Sequence, residues 1–470
     1  MTAAAITLRS RLPRARRRIL SLAPVARLLR LEFRRNAVTW LLPLLAAVFW
    51  VDTYRDSMSV FSVWGLRESL LPDHIVKDFA GFSAGVAAWM GSREGRRAAV
   101  DLVRVTARPS WLRRSVTLAA TAGWMLAAYA CCIAVLYGVT AGQGAWGSPA
   151  WWPVALGAAA VTATCAIGFT AGAFFPGRFT APLAAVGVEV LMLAGTSLSS
   201  VSLYARLTPG TVNLTPDTGA YYPHLPDQAI NQVIFLGGIT IALAGVTGLA
   251  ATGGGRTLRG MAAVVTVVGL AAVGTAAGLA RTAQAGVDGW IIPALHDAAD
   301  DRPVTYTPVC GTGPVPICVN PAFRGYLPAL SSTLAPAFRE MAGLPGAPVR
   351  AVEISGYAAP AAGARLSGSP VVLSFAMPAL GPHGFPGVQR PVLVAFITGN
   401  ADHDGTAAQQ AVWLALVEQT GFQPDISFYS PAVRTAAARF AALPAVAQHA
   451  WLAARLPALR AGHITLEQIP

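Results

Sequence analysis

Residues 24–53 have the sequence PVARLLRLEFRRNAVTWLLPLLAAVFWVDT, in which a basic segment stands directly before an apolar run. Apolar residues of the basic segment recur at i, i+4 and i+8, and arginines occupy the opposite helical face: Val25, Leu29 and Phe33 against Arg27, Arg30 and Arg34. This pattern predicts an amphipathic helix lying on the inner leaflet of a membrane, with a solvated cationic tail as the alternative. The apolar run predicts a first membrane-spanning helix at 37–53.

The whole composition is typical of a membrane protein. Only 12% of the residues are charged and 54% are hydrophobic, and the mean hydropathy is +0.51, which leaves too little polar surface for a soluble protein of this size. A span needs ~20 mostly apolar residues, and we predict seven: 37–53, 79–92, 115–138, 152–174, 181–203, 230–251 and 260–281. The second is the weakest, because its apolar stretch is short and must borrow residues such as Ile75 and Val76.

The basic residues lie mainly on one side of these spans. With the N-terminus in the cytoplasm, the inner segments hold twenty Lys and Arg residues and the outer connections hold four. Such residues accumulate on the cytoplasmic side, so we expect a multi-pass protein whose C-terminal region is extracytoplasmic. The Arg-, Ala- and Gly-rich composition suggests a bacterial cell membrane. A net charge of +13 would otherwise indicate nucleic-acid binding, but topology explains its position better, and no nucleic-acid partner is expected.

Three regions follow from this topology: a cytoplasmic segment with the amphipathic helix (1–36), a transmembrane domain (37–282) and an outer domain (283–470). In the outer domain the basic and acidic residues are nearly balanced and the apolar runs shorten to strand length, which predicts a small α+β fold. Strands are expected at 349–354, 371–377 and 392–397. Helices are expected after Pro321, Asp404 and Pro431, the second of them capped by an aspartate before Ala407.

Two of the five cysteines, Cys310 and Cys318, lie in the outer domain and enclose a Gly/Pro-rich loop of seven residues. This spacing in an oxidising compartment predicts a disulfide. The alternative is a pair of metal ligands. No further cysteine or nearby histidine stands at the usual spacing, so no metal site is predicted.

The order of elements resembles that of a type-2 ABC transporter permease: a basic interfacial helix, two spans, a charged cytoplasmic loop, and four further spans with an outer segment at 204–228 between the last two. The resemblance covers about residues 24–252. It implies an integral membrane subunit of an ABC exporter, acting as a homodimer or heterodimer of permeases with a separate nucleotide-binding ATPase subunit. The seventh span and the outer domain are additions to this six-span pattern.

The chain itself lacks the sequence needed to hydrolyse ATP by the Walker A route. The glycine-rich stretch at 253–257 is Gly-Gly-Gly-Arg-Thr, without the Gly-Lys-Ser/Thr ending that holds the phosphates and the magnesium ion. ATP hydrolysis is therefore assigned to the partner subunit.

The resemblance implies that this partner docks on the 93–114 loop and on the interfacial helix, Arg27, Arg30 and Arg34. The predicted coupling residues of the loop are Arg93, Glu94, Arg96, Arg97, Asp101, Arg104 and Arg108. The alternative is that these arginines only hold the orientation in the membrane. Both interpretations predict the same residues.

Glu189 is the only ionisable residue well inside a predicted span. Burying a carboxylate there costs ~2.5 kcal/mol or more unless it faces protein or water, so we expect it in the bundle interior, protonated or partnered. It is a candidate for the transport pathway, and the alternative is a structural hydrogen bond between helices. A polar stripe continues the same helix: Thr196, Ser197, Ser199, Ser200 and Ser202.

No catalytic residue or cofactor is predicted. The His-Glu-x-x-His and Gly-x-Ser-x-Gly motifs do not occur, and Asp402, His403 and Asp404 are expected to form a solvated helix cap, with metal binding as the alternative. The sequence therefore predicts a permease subunit that is not itself an enzyme. The competing hypothesis is a membrane-tethered extracytoplasmic enzyme or binding module.

Overall fold

The computed structural model describes residues 22–96, 110–197, 202–210, 219–250, 256–286, 289–356, 358, 363–378, 381–399 and 405–470. A helical bundle is followed by a small α+β domain, so this part of the sequence prediction is confirmed. Among the described residues, four helices are long and apolar enough to cross a membrane, or five if one bent pair counts as a span. Several apolar helices thus suggest membrane insertion.

The bent pair lies at the start of the chain. The predicted amphipathic helix is present as α1 (Leu22–Arg34), and it is followed by a 3-10 turn, Ala37–Trp40. Asn36 caps this turn by accepting a hydrogen bond from the Val38 amide at 3.1 Å. After a 53° bend, the chain continues as α2 (Leu42–Phe49), a π-helical segment (Trp50–Tyr54) and α3 (Arg55–Ser59), later in sequence than the predicted span at 37–53.

The connection to the second predicted span is itself helical. It contains α4 (Trp64–Ser69), α5 (Leu71–Ile75) and a second π-helical segment (Val76–Ala80), which leads into α6 (Gly81–Gly91) and α7 (Arg93–Arg96). The helical backbone therefore reaches N-terminally beyond the predicted 79–92, through the two residues that the short span was expected to borrow. This extension also brings His74, Lys77 and Asp78 into the helix.

In the described part of the bundle six further helices follow: α8 (Ser110–Gly142), α9 (Trp152–Phe174), α10 (Thr180–Ser197), α11 (Leu203–Leu207), α12 (Asp227–Leu249) and α13 (Arg256–Arg281). The bounds of α9 coincide with the predicted span. Within the predicted span at 181–203, α10 is described as far as Ser197, and Ser202 is the extended N-cap of the separate short helix α11. The apolar part of α10, Thr180–Gly195, is shorter than the four long helices.

Two glycines let α6 and α9 pack closely. A Cβ atom on Gly168 would lie 2.0 Å from the carbonyl oxygen of Ala84, and one on Gly172 would lie 2.1 Å from that of Ala88. The spacing of four residues between these two glycines thus serves close helix packing. The second pair with this spacing stands on α13, where a Cβ atom added to Gly274 or Gly278 would have no described atom within 4 Å.

The outer domain begins with a hairpin of β1 (Gln284–Gly286) and β2 (Gly289–Ile291). Five strands then form a mixed sheet in the order β3-β4-β5-β7-β6, namely β3 (Val309–Cys310), β4 (Ile317–Val319), β5 (Arg350–Ile354), β6 (Ala364–Ser367) and β7 (Val372–Ala376). The three central strands are parallel, and each edge strand pairs antiparallel with its neighbour. Helices accompany the sheet: α14 (Leu327–Met341), α15 (Phe385–Thr398), α16 (Ala407–Gln419), α17 (Pro431–Ala441) and α18 (Ala445–Arg460).

Two details of the predicted outer domain are wrong. The segment 392–397 is the C-terminal half of α15 and not a strand. The prediction failed because this segment is buried on all sides and its sequence therefore shows no helical periodicity. The N-cap of α16 is Thr406, whose hydroxyl accepts from the Gln409 amide in a capping box, and not Asp404. Asp404 itself lies outside the described residues.

The core of the outer domain extends into a connection between helices of the bundle. It includes Phe61, Val63 and Leu66, which stand between α3 and α5. Phe61 is 0% exposed, and its ring centroid lies 4.9 Å from that of Phe323 and 5.0 Å from that of Tyr326. The two parts of the chain therefore share one hydrophobic core at their junction.

Candidate functional site

A groove of about 850 Å³ runs along one side of the bundle, between the first 3-10 turn, α6 and α10. Its walls are almost entirely apolar, with two ionisable residues, Lys77 and Glu189, among them. The lining residues are Ala37, Trp40, Leu41, Lys77, Gly81, Phe82, Gly85, Val86, Trp89, Ala181, Pro182, Ala185, Val186, Glu189 and Val190. The groove is open to the outside of the bundle, where Trp40 is 88% exposed.

Glu189 is half-buried in the groove wall and held by the backbone of α6. Its Oε2 accepts a hydrogen bond from the Gly81 amide at 3.1 Å. This approach requires glycine, since a Cβ at position 81 would lie 2.9 Å from the same oxygen. The neighbouring side chains Val186 and Val190 are 62% and 60% exposed. The carboxylate thus lies beside a lateral groove, whereas the sequence placed it in the bundle interior.

Of the polar stripe predicted after Glu189, only the side chain of Ser202 is described. It caps α11 by accepting a hydrogen bond from the Ala205 amide at 3.1 Å. Ser199 and Ser200 lie outside the described residues, so the predicted stripe stays a prediction.

A polar cluster that sequence reasoning missed joins the two π-helical segments. Thr53 of the first donates a short hydrogen bond to Asp78 of the second, and both side chains are buried. His74, which is also buried, contacts Asp52 through Nδ1 at 2.8 Å and lies 3.7 Å from Asp56 through Nε2. Wide helical turns of this kind often mark functional positions.

In the predicted topology, Asp52 and Thr53 close the first span at 37–53, whereas His74 and Asp78 lie in the connection before the second span, so the cluster was not expected. The available signal is the spacing of four residues between Asp52 and Asp56 and between His74 and Asp78, which places each pair on one helical face. The residue beside Asp78, Lys77, lines the groove. The cluster and the groove therefore occupy adjacent sides of the same helical segment.

A second buried polar pair lies where the bundle meets the outer domain. Arg67 donates hydrogen bonds to Thr140 and Ser62, each at 3.1 Å. Glu68 accepts from the Ala150 amide at 2.8 and 2.9 Å. Burial raises the pKa of Glu68 to about 7, although the hydrogen bonds from Ala150 and Tyr137 act in the opposite direction.

On the opposite end of the bundle, α1 is attached at two points. Arg93 forms an ion pair with Glu32 at 2.7 Å, and Trp124 donates a hydrogen bond from Nε1 to the Phe33 carbonyl at 2.8 Å. The arginines on the other face of α1 are exposed, as the amphipathic pattern predicts: Arg27, Arg30 and Arg34. The apolar face of this helix thus packs on α8 and leaves its cationic face open.

The predicted coupling residues divide into two groups. Arg93, Glu94 and Arg96 are described and half-buried, and Arg96 lies over the Trp89 ring at 3.3 Å while donating to the Ser92 hydroxyl at 3.0 Å. Arg97, Asp101, Arg104 and Arg108 lie outside the described residues. The described part of the loop is therefore anchored to the bundle by specific contacts, and its docking role stays a prediction.

The predicted disulfide is confirmed. Cys310 and Cys318 are bonded and stand opposite each other in the antiparallel pair β3 and β4. No group of three or more possible metal ligands occurs among the described side chains. The alternative of two metal ligands is thereby replaced by the disulfide.

His296 is the one outer-domain histidine that lies between carboxylates within the described chain. Its Nδ1 is 3.1 Å from Asp227, and its Nε2 is 3.1 Å from Asp301. The contact with Asp301 and the charges of both acids raise the pKa of the imidazole. Asp227 also accepts from the Ile292 amide at 2.9 Å, so this cluster holds the start of α12 to the base of the outer domain. His403 lies outside the described residues.

Comparison with known proteins gives no relative. No protein family, curated protein or solved structure matches the chain.

Proposed function

We propose that this protein is a membrane-spanning permease subunit of an ABC-type exporter in a bacterial cell membrane, coupled to a separate ATPase subunit. The observation that carries the proposal is the attachment of α1 to Arg93 on one side and to α8 on the other, beside a groove bounded by α6 and α10. A displacement of the cationic helix α1 would be transmitted through these contacts to the helices that line the groove.

The groove supplies a path suited to such a displacement. Its apolar walls favour a cargo with a large apolar portion, and Glu189 and Lys77 offer polar contacts along the way. Closing the open side would require a second permease chain, as either a homodimer or a heterodimer. The outer end of the proposed transport path lies at the base of the outer domain.

The competing function, in which the spans only tether an outer enzyme or binding module, is less well supported. A tethered domain needs few contacts with its anchor, yet Phe61 and Leu66 are built into the outer-domain core. Arg206 adds to this attachment by donating to the carbonyl oxygens of Ala280 and Ala283 at the end of α13 and by stacking on Trp290 at 4.1 Å. These contacts favour a domain that moves with the bundle.

The proposal is tested by purifying the full chain from its own membranes in a mild detergent. We expect a subunit with Walker motifs to co-purify and the complex to hydrolyse ATP. Charge reversal by Glu32→Arg or Arg93→Glu should lower ATP-dependent transport without lowering the amount of complex, and the double exchange should restore it. Arg259→Glu, an exposed arginine at the start of α13, is the matched control.

The absence of a nucleotide-binding subunit from the purified material would contradict the permease function. If the outer domain keeps full activity in a chain whose Glu32–Arg93 pair is reversed, and this activity does not depend on ATP, the membrane-tethered module would be favoured instead.

A further inference from the structure

The outer domain contains a cleft of about 780 Å³ that the proposed permease function does not use. It lies between the disulfide-closed hairpin of β3 and β4, the helix α14 and the loop that leads into β5. The volume falls within the range of about 300–1,000 Å³ typical of small-molecule sites.

The floor of the cleft is apolar. Ile317, Phe338 and Met341 form it and are 4%, 8% and 1% exposed, whereas Val349 at the margin is 52% exposed. An apolar floor under an accessible opening favours a ligand that can bury hydrocarbon or aromatic surface.

Each wall of the cleft is fixed by a specific contact. The disulfide between Cys310 and Cys318 closes the hairpin. On the opposite side, His449 of α18 contacts the Ala342 carbonyl oxygen at 2.8 Å, and Arg460 donates to the Gly346 carbonyl at 3.5 Å. These contacts keep the loop away from the hairpin, so the cleft is pre-formed and a ligand need not open it.

The polar groups of the cleft select the kind of ligand. Arg339 is its one charged lining residue, and no described carboxylate forms an ion pair with it. Ser331 contributes a hydroxyl group to the cleft, whereas the hydroxyl of Ser332 donates to the Ala329 carbonyl oxygen at 2.8 Å.

We propose that this cleft binds an anionic amphiphile, a molecule with an apolar body and a single carboxylate or phosphate group held by Arg339. Arginine matches either anion through two parallel hydrogen bonds. The apolar body lies over Phe338 and Met341. This binding requires neither ATP nor a partner subunit, so it stands independently of the permease function.

Photo-crosslinking of the purified full chain in a nonionic detergent tests the site. The probes are a sixteen-carbon carboxylic acid with a diazirine on its chain, the alkyl phosphate of the same length and the corresponding alcohol. The acid and the phosphate should label peptides within 312–349 about fivefold more than the alcohol does, in line with the strength of a charge-assisted hydrogen bond. Labelling by only one of the two anions would identify the headgroup within the proposed class.

Two variants and one control separate the contributions. Arg339→Gln should reduce anion labelling about fivefold and leave alcohol labelling unchanged, and Ala335→Trp should reduce both by filling the cleft. Arg434→Gln, on the exposed face of α17, should change neither. Equal labelling by acid and alcohol, labelling outside the cleft, or unchanged anion labelling in Arg339→Gln would overturn the proposal.

Discussion

Large apolar side chains are exposed on a helix of the bundle and buried on a helix of the outer domain. On α13, Val264, Val267 and Leu270 are 63%, 65% and 58% exposed. On α16, by contrast, Trp413 and Leu414 are 0% and 1% exposed. Helices α13 and α16 are therefore adapted to different surroundings, since α13 needs an apolar environment outside the chain and α16 has its own core.

The two regions nevertheless meet in one packed junction. Phe61 comes from the bundle side of the chain and is buried among aromatic residues of the outer domain. Because of this junction, the outer domain is expected to follow the bundle when the bundle moves.

The largest expected effect concerns the sides of the membrane on which the two regions lie. In a background without Cys131, Cys132 and Cys165, we expect Val446→Cys to react with a membrane-impermeant maleimide on intact cells and Arg256→Cys to react only after permeabilisation. The first site is an exposed outer-domain position and the second is at the start of α13. Reversed accessibility would show that the arginine count assigned the wrong orientation.

Removing the aromatic anchor of the junction should have the next largest effect. Phe61→Ala leaves a cavity between the two regions and is expected to cost about 3–5 kcal/mol of unfolding free energy. Thermal unfolding of the purified chain measures it, with Phe428→Ala, whose ring is 85% exposed, as the control. Equal stability of the two variants would mean that the regions are only loosely attached.

The buried carboxyl at the junction predicts a dependence on pH. Because burial raises the pKa of Glu68 to about 7, its folded state holds a proton more tightly than the unfolded chain does. The contribution of Glu68 to the free energy of unfolding is fully present below about pH 4.5 and is lost as the pH rises toward 7, by at most about 3 kcal/mol.

Glu68→Gln should flatten this part of the stability profile, whereas Glu418→Gln, an exposed residue of α16, should not. Melting temperatures between pH 4.5 and 8 supply the measurement. A wild-type profile unchanged by Glu68→Gln would exclude this carboxyl as the source of the pH dependence.

Close packing within the bundle gives the smallest predicted effect. Gly168→Ala places a methyl group against the Ala84 backbone and is expected to cost about 1–3 kcal/mol. Gly274→Ala meets no described atom within 4 Å and should be neutral or slightly stabilising, because alanine favours helix. A matching loss in both variants would indicate that α13 also packs through its glycines, against a second chain.

Long apolar helices were predictable from the sequence because hydropathy and length alone determine them. The bounds of α9 follow in this way. The structure of the segment between Asp52 and Asp78 was not predictable, since its charges suggest a solvated loop. Only the folded chain brings Thr53 into contact with Asp78. The helix of the first predicted span begins later in the sequence than predicted, because Asn36 caps a separate turn before it.

The candidate site was predictable in part. Glu189 stands out as a lone carboxylate in an apolar run, and this contrast is visible in the sequence. Its partner, the Gly81 amide, comes from another helix, so neither the contact nor the lateral groove could be derived from spacing. In the outer domain, burial on every side concealed the helical nature of α15, as it does for any segment without a polar face.

Whether ATP hydrolysis by a partner subunit moves the helices around the groove is most directly tested by measuring a distance across the groove. Spin labels at Trp40→Cys and Leu183→Cys, both exposed positions beside the groove, report the separation of the first turn and α10 in a background without the three free cysteines. We predict that ATP shifts this distance distribution in the complex with the ATPase and not in the isolated chain. An unchanged distance distribution in an actively hydrolysing complex would contradict this coupling of ATP hydrolysis to the groove.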